Sequence, residues 1–143
     1  MAEKKLIIFD FYGVMTGMDL KDLIARLSEN YTLAICSSTG SGYLRAALEE
    51  DCIAKYFSAI LGIDVDRSKA VKLRSLIETY GAEAVFVTDT LGDMRESAVA
   101  GVACIGVTWG MQDREALEKG GPYAIVDTVP ELEDAIGKFF VIQ

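Results

Sequence analysis

Leu6-Ile7-Ile8-Phe9-Asp10 is an apolar run that ends in a carboxylate, and Phe11-Tyr12-Gly13-Val14-Met15 follows it. Far downstream, Val85-Phe86-Val87-Thr88-Asp89-Thr90-Leu91-Gly92-Asp93 repeats the arrangement. Each run reads as a buried strand delivering an aspartate to its carboxyl end. Working outward from this pair, short apolar runs alternate with segments of helical period, the signature of an α/β fold with a mainly parallel sheet. The strands read are residues 5–10, 32–37, 59–62, 84–89 and 102–107, with a short sixth at 123–126. Leu20, Leu23, Ile24 and Leu27 share one helical face, and Leu73, Leu76, Ile77 and Tyr80 repeat the pattern. Further helices are predicted at 41–50, 93–100, 112–119 and 130–138, with ends or turns marked by Gly81, Gly101 and Gly120-Gly121-Pro122. There is no internal repeat, low-complexity tract or linker, so residues 1–143 read as a single domain.

Composition narrows the chemistry. Twenty-two acidic against 14 basic residues give a formal charge of −8, which repels nucleic-acid phosphates and argues against a polynucleotide partner. Met1-Ala2-Glu3-Lys4-Lys5 leads directly into the first strand, and no apolar stretch approaches the roughly 20 residues needed to cross a bilayer. The expectation is a soluble cytoplasmic protein with no membrane partner. Cys36, Cys52 and Cys104 are odd in number and set in apolar surroundings, so they read as buried thiols rather than disulfides or a metal cluster. The chain contains no histidine. That excludes His-dependent triads and the usual zinc sites, and leaves carboxylates, hydroxyls, amines and thiols to act.

Ligands of open parallel sheets bind at the carboxyl ends of the strands, near the point where strand order reverses. Asp10, Ser37 and Asp89 each end a predicted strand. Taken with the spacing of Asp89 and Asp93, these strand ends resemble the haloacid dehalogenase-like hydrolase superfamily. Its first motif is a hydrophobic strand ending Asp-x-Asp-Gly, and its fourth is a hydrophobic strand ending near Gly/Thr-Asp-x-x-x-Asp. The resemblance implies a Rossmann-like three-layer sandwich in which the first-motif strand lies between those of the second and fourth motifs.

It also implies roles. Asp10 matches the nucleophile that forms a covalent aspartyl intermediate, a task suited to a group ionised at neutral pH; the plainer reading is a strand-end carboxylate in a turn with Gly13. Ser37 matches the second-motif hydroxyl that donates to the phosphoryl oxygen, with Ser38 beside it as a further substrate contact. The same run, Ser38-Thr39-Gly40-Ser41, could equally cap the next helix. Lys69 matches the third-motif lysine, with Lys72 one turn along as the runner-up. Two carboxylates about 4 Å apart at an effective dielectric near 20 repel by roughly 4 kcal/mol. Asp10, Asp89 and Asp93 together therefore call for a divalent cation, and all-oxygen ligation points to Mg²⁺. The alternative for Asp93 is a capping box with Thr90.

One position departs from the phosphatase pattern. Where the second aspartate of the first motif should protonate the leaving group and activate water, the chain has Tyr12, whose phenol is a poor base at neutral pH. Its backbone carbonyl still suits the metal position. The side chain is expected to point into the site and to impair the acid–base step. Asp-x-Tyr-Gly is similar to the 2-haloacid dehalogenases, but those need no metal and lack the first acidic residue of the fourth motif. They also carry a helical cap, for which the 23 residues between Gly13 and Ser37 leave no room. Three readings follow: a capless Mg²⁺-dependent phosphohydrolase or phosphotransferase acting on a small phosphorylated molecule, a metal-free dehalogenase, or a non-catalytic binding relative. Oligomeric state is left open.

Overall fold

The computed structural model describes residues 5–80 and 83–142. The helix end expected at Gly81 lies outside them. Six apolar runs form six strands: β1 Leu6–Phe9, β2 Thr32–Cys36, β3 Ala59–Leu61, β4 Ala84–Thr88, β5 Ala103–Val107 and β6 Ala124–Val126. The helices are α1 Lys21–Leu27, α2 Ser41–Glu50, α3 Lys69–Tyr80, α4 Leu91–Ala100, α5 Arg114–Glu118 and α6 Val129–Ile142, with a 3₁₀ turn at Ala54–Tyr56 that the sequence did not announce.

All strands pair in parallel, in the order β3-β2-β1-β4-β5-β6. The chain winds outward from β1 through β2 to β3, then crosses back to begin again at β4. Strand order thus reverses between β1 and β4, where the register pairs Phe9 with Val87. Side-chain alternation divides the core into two layers. Ile7, Phe9, Ile35, Val85 and Val87 face α1, α2 and α6, whereas Leu6, Ile8, Ala34 and Phe86 face α3, α4 and α5. Every side chain of β1 is fully buried. At about 1.5–3 kcal/mol per large apolar side chain, this four-residue strand is among the most strongly held segments of the molecule. It is a rigid base for whatever it carries at its end.

Several element ends differ from the sequence reading for local reasons. Helix α4 begins at Leu91 rather than residue 93, because the Thr90 hydroxyl accepts from the Asp93 amide at 3.2 Å and caps the helix there. Helix α6 continues past residue 138 because Phe139 and Phe140 pack into the core. Helix α5 is shorter than expected, starting after Asp113, whose carboxylate accepts from the Ala116 amide. Cys36 and Cys104 are buried free thiols, as expected, but Cys52 is exposed. It follows the end of α2 with a left-handed φ of 61°, where the chain turns out of the helix.

Between β1 and β2 the only element is α1, and between β2 and α3 there are only α2, the 3₁₀ turn and β3. Among the described residues no domain is therefore inserted over the sheet edge. Among the described residues no helix is long and apolar enough to cross a membrane.

Candidate active site

The carboxyl ends of β1, β2 and β4 gather the residues singled out in the sequence. Asp10 follows β1, its amide donating to the Val87 carbonyl at 3.0 Å. Its Oδ1 accepts from Lys69 Nζ at 3.2 Å, and the same ammonium donates to both oxygens of Asp93, at 2.8 and 2.9 Å. Thr88 Oγ1 donates to Asp93 Oδ2 at 2.7 Å. All four side chains are buried. Lys69 opens α3, where Glu96 of α4 accepts from its amide at 3.0 Å, so packing of α3 on α4 places the ammonium.

Asp93 therefore faces Lys69 and Thr88. The capping box expected for it is half made: Thr90 caps the helix, but the Asp93 carboxylate is occupied elsewhere.

Asp89 is fully buried. Its Oδ2 accepts from the Met111 amide at 2.8 Å, and its Oδ1 is buried with no partner. Gly13 and Gly110 wall the carboxylate, since a Cβ on either glycine would collide with it. Gly13 has φ +82°, a second reason for glycine there. Trp109 fixes the two loops together by donating from Nε1 to the Val14 carbonyl at 3.0 Å.

Ser37 is buried after β2, with its hydroxyl accepting from the Thr39 amide at 3.1 Å. Ser38 is exposed and outside this cluster. The hydroxyl run does not cap α2: the N-cap is Gly40, and Asp64 from the loop after β3 accepts from the Ser41 amide at 2.7 Å. Lys72, the runner-up lysine, is fully buried and donates to the carbonyls of Ser37 at 2.6 Å and Gly62 at 3.3 Å. It ties down the end of β2 and leaves Lys69 as the lysine on the carboxylates.

Tyr12 differs from expectation. Its side chain is 49% exposed and turns toward α2, with its ring 6.5 Å from that of Tyr43 at an interplanar angle of 22°, and edge-on to Phe11 at 5.4 Å.

Burial is the largest influence on Asp10 and pushes its carboxyl up to about 7; Lys69 opposes this and Asp93 adds to it. Burial also works against the Lys69 ammonium, but Asp10 and Asp93 outweigh it and leave its pKa above the ordinary lysine value. The Tyr43 hydroxyl, with a smaller effect of burial, raises the Tyr12 phenol above its usual value. Two of the three buried carboxylates, Asp10 and Asp93, share the Lys69 ammonium. Among the described residues no group of three or more His, Cys, Asp or Glu side chains is arranged to hold a metal ion, and Asp93 is paired with Lys69. Mg²⁺, however, commonly takes one or two carboxylates and completes its shell with waters and substrate. Asp10 and Asp89, the latter with an orphaned buried oxygen, fit that requirement.

Sequence reasoning missed Thr88, Glu96 and the Gly110–Met111 loop. Thr88 had a signal, being adjacent to Asp89 on the strand; the other two act through pairings distant in sequence. A cleft of about 460 Å³ beside the loop after β1 is lined by Phe11, Met15, Met18, Leu48 and Ile53 among others, and includes none of the clustered carboxylates.

No protein-family model matches the chain. It is 31% identical over 131 residues to a "probable phosphatase", IndB, of Dickeya dadantii, an alignment covering 87% of this chain and 55% of the relative. It is 27% identical over 143 residues to the phosphoglycolate phosphatase of Vibrio parahaemolyticus, covering 90% of this chain and 63% of that protein. The chain thus spans between half and two thirds of the length of these curated relatives. Among solved structures, a "predicted phosphatase" from Clostridium acetobutylicum superposes with a TM-score of 0.82 at 18% identity, covering 96% of this chain and all of the other. A haloacid dehalogenase-like family hydrolase from Streptococcus pneumoniae gives 0.78 at 16% identity, covering both chains fully. The fold is the one these proteins share.

Proposed function

We propose that this chain is a phosphatase-type haloacid dehalogenase-like hydrolase that transfers the phosphoryl group of a small molecule to Asp10 and then to water. The observation that carries this reading is the buried Asp10–Lys69–Asp93 chain beside Asp89, whose Oδ1 has no partner. Phosphatase-named sequence relatives support the same reaction class. Mg²⁺ would be held by Asp10, Asp89 and the Tyr12 carbonyl, with Asp93 acting through water, and would supply positive charge to the carboxylates and the transferring phosphoryl group.

Lys69 holds Oδ1 of Asp10, so the attacking atom is Oδ2. It bonds to phosphorus as the leaving-group oxygen departs with the electron pair of the broken P–O bond. Ser37 would donate to a phosphoryl oxygen once its hydroxyl turns from the Thr39 amide. Water then attacks the aspartyl phosphate, releasing phosphate and restoring the Asp10 carboxylate.

Tyr12 shapes the substrate range. General acid–base catalysis is worth about 10²–10⁴-fold, or roughly 3–5.5 kcal/mol of barrier. A neutral, surface-turned phenol supplies little of it, so leaving groups that depart as stable anions, aryl or acyl, are favoured over alkoxides. Dehalogenation is disfavoured because Asp89 is kept and no cap domain closes over Asp10 among the described residues.

The test is hydrolysis of 4-nitrophenyl phosphate and of an alkyl phosphate, with and without Mg²⁺, by the wild type, Tyr12→Asp and Asp10→Asn. The wild type should be slow and Mg²⁺-dependent on the aryl ester. Tyr12→Asp should gain on the alkyl ester by up to the 10²–10⁴-fold typical of an acid–base group, and Asp10→Asn should be inactive on both. A folded, Mg²⁺-binding Tyr12→Asp protein that gains nothing would favour the non-catalytic reading, and metal-independent halide release from a 2-haloacid would favour the dehalogenase.

A further inference from the structure

We propose that Tyr12 and Tyr43 form an aromatic platform at the mouth of the site and select a substrate whose leaving group is a planar aryl ring. The proposal rests on the phosphohydrolase reading above and narrows its substrate class.

Tyr12 stands two residues beyond Asp10, and Tyr43 lies in the first turn of α2, the helix that follows Ser37. Both residues therefore follow the carboxyl ends of neighbouring strands, β1 and β2, at the sheet edge that carries Asp10 and Ser37. Their rings lie nearly parallel, 22° apart, but with centroids 6.5 Å apart, toward the outer end of the 4.5–7 Å range of aromatic pairs. The pair leaves 49% of Tyr12 and 58% of Tyr43 in water. Among the described residues the only other strongly exposed aromatic side chain is Tyr123, which packs edge-on against Phe139. Exposed aromatic surface is thus concentrated beside the nucleophile.

The chemistry at Asp10 gives that surface a use. Without an acid to protonate the leaving oxygen, the group must depart as a stable anion, and a phenolate-type anion carries a ring with it. A phenol is uncharged at neutral pH, so the platform does not repel that anion. An acyl leaving group is equally stable as an anion but has no ring, so it separates recognition by the platform from leaving-group acidity.

The experiment compares 4-nitrophenyl phosphate with acetyl phosphate, both with Mg²⁺, on the wild type, Tyr43→Ala and Tyr43→Phe. Tyr43 is exposed, and far-UV circular dichroism and melting temperature confirm each variant is folded. Tyr43→Ala should lower kcat/KM for the aryl ester roughly three- to tenfold more than for acetyl phosphate, the range expected for one lost aromatic contact. Tyr43→Phe should restore the aryl preference. Equal losses on both substrates, or none, overturn the platform. Calorimetric binding of phenylphosphonate and methylphosphonate reads it without turnover. The wild type should bind the aryl compound tighter by a similar roughly three- to tenfold factor, erased in Tyr43→Ala; equal binding of the two, or binding of neither, also overturns it. If neither phosphate ester is turned over while the phosphonate preference holds and depends on Tyr43, the hydrolase reading fails and the aryl-binding platform stands.

Discussion

Replacing Asp10 by Asn in metal-free buffer should make the protein more stable at neutral pH. The carboxyl is pushed from its ordinary 3.8 up to about 7, chiefly by burial. Between those values the folded protein holds a proton on Asp10 that the unfolded chain has already released, so stability falls as pH rises through that window. Lys69 does not reverse this, because its pKa lies above the ordinary lysine value and it is protonated in both states across the window. About three pKa units at 1.36 kcal/mol each give an upper bound of about 4 kcal/mol by pH 7.5. Asparagine has the same shape, carries no charge and still accepts from Lys69. The stability of Asp10→Asn relative to wild type should therefore be near zero at pH 4 and climb to a few kcal/mol at pH 7.5. For a chain of this size that corresponds to a melting-temperature gain of about 5–15 °C. Urea and thermal unfolding followed by circular dichroism with EDTA at pH 4.5, 6 and 7.5 provide the measurement. A difference that does not change with pH, or a variant less stable than wild type at pH 7.5, would refute the argument.

Other perturbations probe the neighbouring groups. Millimolar Mg²⁺ should raise the wild-type melting temperature, by about 2.7 kcal/mol of stability at a hundredfold excess over Kd, and Asp89→Asn should abolish that response; an unmoved wild type would make the carboxylates a structural cluster. Lys69→Met leaves two buried carboxylates without their cation and should cost roughly 3–5 kcal/mol at pH 7.5, with recovery toward pH 5 as carboxyls protonate. A pH-independent loss would mean the ammonium is not what holds them. Gly13→Ala combines a left-handed backbone with a Cβ driven into Asp89 and should cost roughly 2–4 kcal/mol. Gly92→Ala, whose Cβ meets nothing inside α4, should be neutral or stabilising by up to about 1 kcal/mol, and similar urea midpoints for the two variants would contradict the close approach.

The sheet was readable because each buried strand is a short apolar run stopped by Asp, Ser or a turn. All six observed strands fall within one residue of the expected bounds at each end. Asp10, Ser37 and Asp89 were visible as strand ends, and parallel topology then required them to lie on one edge. What the sequence hid depends on partners from elsewhere in the chain. Asp93 looks like a cap or a metal ligand until the α3–α4 contact brings Lys69 onto it. Asp64, not a local hydroxyl, occupies the amide at the start of α2 because the loop after β3 reaches across. Tyr12 reads as an intruder by position, yet Tyr43, thirty-one residues away in sequence, supplies its companion. Cys52 was misjudged because it directly follows the acidic run Glu49-Glu50-Asp51, where the chain turns out of α2 into water.

The hydrogen bond from the Asp10 amide to Val87 has a kinetic meaning. β1 and β4 are far apart in the chain, so their pairing is a non-local event, slow to form and dependent on closing the whole intervening loop. The Asp10 and Asp89 carboxylates take up their relation only when that pairing zips shut. Loops around the rim can fray without disturbing it, whereas hydrogen exchange at the Asp10 amide should need opening of the central sheet itself. A substitution anywhere that lowers global stability would then thin the population of assembled sites in proportion, and loss of activity in a distant variant would report unfolding as readily as damaged chemistry.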